Sequence, residues 1–99
     1  MLTSKQRAKL RGMANTIPAL YQVGKDGITE NIVEQFQNAL EARELIKVHV
    51  LENAMTDTRA VAEEAARRTG AQTVQVIGSK FILYKQSLYG KNIYSRRKT

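Results

Sequence analysis

The sequence predicts a single α/β (α+β) domain in which three helices cover a mixed four-stranded sheet. Segments of helical periodicity alternate with short apolar segments in the order α-β-α-β-α-β-β. The length of 99 residues suits one domain. Only Gly78-Ser79 separates the last two strands, which predicts an antiparallel type II′ hairpin. The earlier strand–helix–strand connections favour parallel pairing through right-handed crossovers.

The first helix is expected to begin at a Thr3 or Ser4 cap and to end near Ala14 or Asn15. Its apolar side carries Leu2, Gln6, Leu10 and Met13. Cations flank that side, with Lys5 and Lys9 on one edge and Arg7 and Arg11 on the other. Pro18 then leads the chain into an extended strand at 19–23. The helix can therefore dock on the sheet and still present basic side chains.

The remaining elements follow from periodicity and from stop signals. A second helix, capped by Thr29 or Asp26, runs to about 43–44. Its core stripe is Ile32, Val33, Phe36, Ala39 and Leu40. A strand at 45–51 precedes a third helix at 57–69, which Gly70 ends. The hairpin strands are expected at 73–77 and 80–85.

Charge is segregated along the chain. The net charge is +7, and segments 1–25 and 78–99 contain no acidic residue, whereas 26–79 holds all nine. Such segregation suggests a surface that attracts a polyanion, although basic ends can also serve only to keep a small protein in solution. The chain has no apolar run long enough to span a bilayer and no cysteine, so a cytoplasmic protein without disulfides is expected.

The sequence Gly24-Lys25-Asp26-Gly27 lies between a predicted strand and a predicted helix. Two residues without Cβ let backbone N–H groups approach an anion closely, and the positive end of the following helix favours negative charge. Lys25 adds a formal charge. A G-x-x-G loop of this kind clamps RNA in KH domains, although the four residues alone also suit a plain turn.

Few residues are suited to catalysis. His49, between Val48 and Val50, is the only histidine and is interpreted as structural. We interpret the acid pairs Glu41/Glu44 and Glu63/Glu64 as solvated helix-surface groups. The chain has no nucleotide-binding G-x-x-x-x-G-K-[ST] segment, and the Gly24 loop lacks the third glycine of a dinucleotide fingerprint. We therefore expect no enzyme activity, catalytic residue, metal, cofactor or small-molecule substrate.

A binding role has more candidate residues. Those that would contact RNA are Lys5, Arg7, Lys9, Arg11, Gly24, Lys25, Asp26, Gly27, Lys80 and Lys85. The two hairpin lysines are placed near the sheet edge. Among the tyrosines, Tyr21 and Tyr84 are expected to pack, while Tyr89 and Tyr94 are more open to stacking on bases.

Several ordered motifs together resemble a known family. They are the basic first helix, Val23–Thr29, Glu44–Val48, Thr69-Gly70-Ala71, Val74–Gly78 and Leu83-Tyr84-Lys85. The sequence from about Leu2 to Gln86 is similar to the bacterial stand-alone CRM domain, or YhbY-like, RNA-binding proteins.

The resemblance implies a fold similar to the C-terminal domain of translation initiation factor 3, with a KH-like GxxG loop. It also implies binding to ribosomal RNA of large-subunit precursors, whereas plant relatives act in group II intron splicing.

Residues 1–86 would form the domain, and 87–99 a basic, flexible tail. A monomer without a membrane partner is expected. Asp26 would repel phosphate if it faced the RNA, so it is expected to point away and to cap the second helix.

Two other interpretations remain open. The chain could be a protein-interaction module that associates with the ribosome, its basic ends serving only solubility. It could also be a small enzyme that holds a phosphate ligand at the Gly24 loop, although no base or metal set accompanies that loop.

Overall fold

The structure, a computed structural model, describes residues 2–54 and 56–86. The predicted element order is confirmed. In chain order the elements are α1 (Ser4–Ala14), β1 (Tyr21–Val23), α2 (Glu30–Arg43), β2 (Leu45–Val50), α3 (Thr58–Thr69), β3 (Gln72–Ile77) and β4 (Lys80–Tyr84). The prediction of a flexible tail at 87–99, with Tyr89 and Tyr94, lies outside the described residues.

The sheet is mixed, as predicted, and its strand order is β1-β2-β4-β3. Strand β1 pairs parallel with β2, and β4 runs antiparallel to both β2 and β3. Strands β1, β2 and β3 therefore point the same way. Gly78 has a φ of 58° whereas Ser79 has no positive φ, which matches the predicted type II′ turn. The Gly78-Ser79 turn and the Gly24–Gly27 segment both lie at the end of the sheet where β1, β2 and β3 finish, which we call the turn end.

Helix caps are supplied by side chains that directly precede each helix. Thr3 and Gln6 form a reciprocal capping box at α1, and Asp57 accepts from the amide of Ala60 at 2.8 Å. At α2 the cap is Thr29, whose hydroxyl accepts from Ile32 N at 3.2 Å. The expectation that Asp26 caps α2 is therefore wrong. Asp26 lies three residues before Thr29, and the buried Ile28 separates it from the helix.

Two apolar layers cover the two faces of the sheet. Helices α2 and α3 pack on one face around Phe36, Leu40, Val48 and Phe81. Helix α1 packs on the other face, which we call the α1 face, through a smaller cluster. Its buried members are Leu10, Ala14, Leu45, Val74, Ile82 and Tyr84. Leu10 faces the sheet as expected, but Met13, also expected on the docking side of α1, is 37% exposed, because Ala14, one turn after Leu10, is buried in its place.

Glu44 departs from the sequence interpretation as a solvated acid, since it is fully buried. It is the C-cap of α2, in the left-handed conformation with φ 67°, and β2 begins at the next residue. Its carbonyl accepts from Lys85 N at 2.9 Å, one step beyond the Leu45–Tyr84 pair. Glu44 is buried because no linker separates helix from strand.

Across the described ranges, no helix is both long and apolar enough to cross a bilayer.

Candidate nucleic-acid interface

The Gly24–Gly27 segment forms a tight β-turn directly after β1. The amide of Gly27 donates to the Gly24 carbonyl at 3.0 Å, so this N–H is committed inside the turn. The amides of the two central residues, Lys25 and Asp26, have no hydrogen-bond acceptor among the described residues. The turn therefore offers two backbone donors, and the exposed Lys25 side chain lies beside them.

Glycine is favoured at the two ends of the turn for different structural reasons. Gly27 has a φ of 68°, a conformation that side chains with Cβ rarely adopt, although space for a Cβ is open there. At position 24, close packing against neighbouring side chains favours a residue without Cβ. A Cβ at Gly24 would lie 3.3 Å from Oδ1 of Asn53 and 3.6 Å from Cδ1 of Leu51, in the segment that follows β2. The first glycine thus brings the turn close to the end of β2, and the second closes it.

The protein behind the turn holds it in place. Ile28 is buried in the core between the sheet and α2–α3. Its carbonyl accepts a hydrogen bond from Nη1 of Arg68, on the last turns of α3. The same guanidinium approaches Glu64 at 3.6 Å and Glu30 at 4.0 Å, which links α3 to the start of α2. The turn is therefore anchored at its C-terminal side by a buried side chain and by a cation.

Pairing register brings Lys25 and Lys80 to the same end of the sheet. A row of paired residues crosses all four strands on the α1 face, beyond the part that α1 covers. The row is Gln22, His49, Lys80 and Ile77. His49 is half-buried, as expected of a structural residue. Because β1 and β4 are two strand spacings apart, roughly 10 Å separates the strand that leads into the turn from the strand that carries Lys80.

Lys85 does not join this group. The sequence interpretation placed Lys80 and Lys85 near the sheet edge, which is wrong because β4 lies between β2 and β3. The two lysines flank opposite ends of β4. Lys85 Nζ donates to the carbonyl of Thr69 at 2.8 Å and to Gln37 Oε1 at 3.1 Å, which ties the end of α3 to α2. Contact between Lys85 and RNA stays a prediction.

The basic residues of α1 divide into two pairs. Lys5 and Lys9 are exposed, whereas Arg7 and Arg11 are half-buried. Nη1 of Arg7 donates to the carbonyls of Thr73 at 2.5 Å and Val74 at 3.4 Å. The arginine pair thus faces β3, and Arg7 also has a structural role.

The two described tyrosines pack as expected. The Tyr21 ring lies edge-on to Phe36, with 5.9 Å between the ring centroids. Tyr84 is buried in the cluster beneath α1. The buried Tyr84 ring is therefore not available to stack on a base, whereas Tyr21 is half-buried.

Acidic residues are absent from one layer of the molecule. Helix α1 and all four strands contain no aspartate or glutamate, whereas α2 and α3 together carry Glu30, Glu34, Glu41, Glu63 and Glu64. Two further cations were not among the RNA-binding candidates predicted from sequence: Lys47, on the α1 face of β2, and Arg59, at the start of α3. The alternation of side chains along a strand could have placed Lys47 on this face, whereas only the tertiary fold shows where Arg59 lies. The described residues contain no cluster of acids and histidine that could hold a metal.

Comparison with known proteins gives one family. The model of the CRS1 / YhbY (CRM) domain matches residues 2–85. A Bacillus subtilis relative named "Probable RNA-binding protein YqeI" is 46% identical over 93 residues, which cover 94% of this chain and 97% of that protein. A Haemophilus influenzae relative named "RNA-binding protein" is 34% identical over 86 residues, 87% of each chain.

A solved structure agrees. The solution structure of the Staphylococcus aureus hypothetical protein SAV1595 superposes with a TM-score of 0.75 at 47% identity. The match covers 88% of this chain and 91% of the other. The resemblance drawn from the sequence motifs is thereby confirmed, and the chain belongs to the CRS1 / YhbY (CRM) domain family.

Proposed function

We propose that this protein binds RNA and does so without catalysing a reaction. The observation that carries the proposal is the layer formed by α1 and the sheet, which holds cations and no carboxylate. A polyanion is attracted to such a face, and neutralising its phosphates releases counterions. The names of the two relatives, both described as RNA-binding, support RNA as the polyanion.

The Gly24–Gly27 turn would hold one part of the RNA backbone. Its two unpaired amides and the Lys25 ammonium can donate to phosphate oxygens, and Lys80 lies at the same end of the sheet. Contacts of this kind fix the position of a backbone but carry no sequence information. Lys5 and Lys9 on α1 would extend the electrostatic contact.

The RNA is proposed to be ribosomal RNA in precursors of the large subunit, which would make the protein a cytoplasmic assembly factor. The similarity to bacterial stand-alone CRM proteins supports this assignment. The test is RNA cross-linking in cells, read beside sedimentation of the extract. We expect cross-links concentrated in large-subunit RNA and a precursor peak. Cross-links scattered over messenger RNA, without that peak, would refute the assembly role and leave RNA binding intact.

RNA binding itself is tested with poly(U) at several salt concentrations. Log affinity should fall linearly with log salt, by about 0.7 for each phosphate neutralised on a single strand. Absence of binding at low salt, or affinity independent of salt, would contradict the proposal. Co-purification with one protein that survives nuclease and high salt would instead favour a protein-interaction module.

A further inference from the structure

Three arginines from two helices line one hollow at the free edge of β3. The hollow has a volume of about 420 Å³. Its lining comprises Arg7 and Arg11 of α1, Arg59 of α3 and the backbone segment 73–76. Helices α1 and α3 lie on opposite faces of the sheet, and β3 is an outer strand, so the two helices flank this edge from either side. No acidic residue within the described ranges is part of the lining.

Arg7 is held rigidly at the hollow by the β3 backbone. The register of β3 against β4 shifts between Thr73 and Gln75, which leaves Val74 as an extra residue. Successive carbonyls of a regular strand point to opposite edges, but at this bulge both Thr73 O and Val74 O reach Arg7 Nη1. The other three guanidinium donors, Nε–H and the two on Nη2, lie outside these two bonds. Their position is fixed, so binding an anion costs little side-chain entropy.

The other two arginines lack a partner among residues 2–54 and 56–86. Neither the Arg11 nor the Arg59 side chain makes an ion pair or a hydrogen bond with any residue in the described ranges. Arg59 is also placed unfavourably for folding. It is the second residue of α3, where the helix dipole disfavours a cation. Local stability therefore does not explain an arginine at this position, whereas a bound anion would.

We propose that this hollow is a second phosphate-binding site, which takes phosphate groups of the RNA backbone. Guanidinium groups bind phosphate through paired hydrogen bonds, and three of them converge here. The inference rests on the proposed RNA-binding function and extends it to the opposite edge of the sheet. The strand that leads into the Gly24–Gly27 turn lies at the β1 edge, three strand spacings or roughly 14 Å from β3.

The test compares Arg59→Gln with Arg67→Gln. Both remove one exposed arginine from α3, but Arg67 is not part of the hollow. For Arg59→Gln we expect poly(U) affinity to fall about fivefold near 0.1 M salt and the salt slope to decrease by about 0.7. Arg59→Lys should restore only part of the affinity, since ammonium lacks the guanidinium fork. Urea unfolding should show that Arg59→Gln is at least as stable as wild type. Equal poly(U) binding by Arg59→Gln and Arg67→Gln would overturn the proposal.

A second measurement separates the hollow from the RNA-binding function. NMR of the arginine Nε–Hε groups follows a titration with inorganic pyrophosphate. The Arg7, Arg11 and Arg59 signals should shift together and saturate, and the Arg11→Gln/Arg59→Gln variant should abolish the response at Arg7. If wild type fails to bind poly(U) but these signals respond, a free phosphate compound rather than RNA is the ligand, and the proposed function is refuted. No response in any arginine would overturn the phosphate site.

Discussion

The β1 edge and the β3 edge of the sheet offer phosphate contacts of opposite character. At the β1 edge, two backbone amides lie in a glycine turn, where the charge of Asp26 offsets that of Lys25. At the β3 edge, three guanidinium groups share one hollow, which no acid from the part of the chain that the structure describes lines. The first edge is shaped by backbone geometry, and the second is dominated by charge.

This difference indicates a division of roles between the two edges. Backbone amides in an anchored turn have fixed directions, so they can position a phosphate even where the net charge is small. Guanidinium groups supply most of the long-range attraction, which is strongly dependent on salt. We therefore expect substitution of a cation at either edge to change the salt dependence, and substitution of the turn glycines to change geometry and stability.

The largest effect should come from removing one cation at each edge. Lys25→Gln combined with Arg59→Gln is expected to weaken poly(U) binding about 25-fold near 0.1 M salt, since each lost contact on a single strand costs about fivefold. Fluorescence anisotropy of labelled poly(U), recorded at several salt concentrations, measures this loss of affinity. Arg67→Glu is the matched control, because it lowers the net charge by the same two units on the outer side of α3. If Arg67→Glu weakens binding equally, net charge rather than the two edges governs affinity.

The two edges also differ in how far sequence could predict them. Gly24-Lys25-Asp26-Gly27 is contiguous, so its place between strand and helix followed from local periodicity. Arg59 is 48 positions from Arg11 in the sequence, and only the order β1-β2-β4-β3 places α1 and α3 beside the same outer strand. A segregated charge pattern indicated a basic surface but could not place its members.

Capping and burial show the same limit of local patterns. Thr29 and Asp26 were both acceptable caps for α2, and only the path of the buried Ile28 decides between them. Glu44 was interpreted as a solvated helix-surface acid because the helical pattern could not show that β2 begins without a linker. The insertion of β4 between β2 and β3 likewise comes from long-range pairing, and it moved Lys80 and Lys85 away from the sheet edge.

The second prediction separates the two glycines of the turn. Gly27→Ala should lower the free energy of unfolding by about 1–2 kcal/mol, because alanine must adopt a positive φ. Gly24→Ala should cost less than about 1 kcal/mol, since the closest atom is the side-chain oxygen of Asn53, which can move. Urea unfolding checks both. A larger loss for Gly24→Ala would show that packing against the end of β2, rather than φ, limits the turn.

The third prediction concerns Lys25 alone. Lys25→Ala should weaken poly(U) binding about fivefold and reduce the salt slope by about 0.7, with similar effects on other single-stranded sequences. The exposed position predicts a change in unfolding free energy within about 0.5 kcal/mol. Isothermal titration calorimetry with several RNA homopolymers shows whether the loss of affinity is similar for each of them. A loss confined to one sequence would mean that Lys25 contacts a base rather than a phosphate.

The smallest effect is expected at Asp26, the acid in the centre of the turn. The structure gives Asp26 no capping role, and its exposed carboxylate stands beside the two unpaired amides. At a distance of several ångströms in water, one screened charge repels phosphate by about 0.5 kcal/mol. Asp26→Asn should therefore raise poly(U) affinity about twofold at low salt, and the gain should vanish at high salt. Unfolding should be unchanged, which serves as the control. A loss of affinity instead would mean that the Asp26 carboxylate orients the turn for binding, so that geometry outweighs charge at the β1 edge.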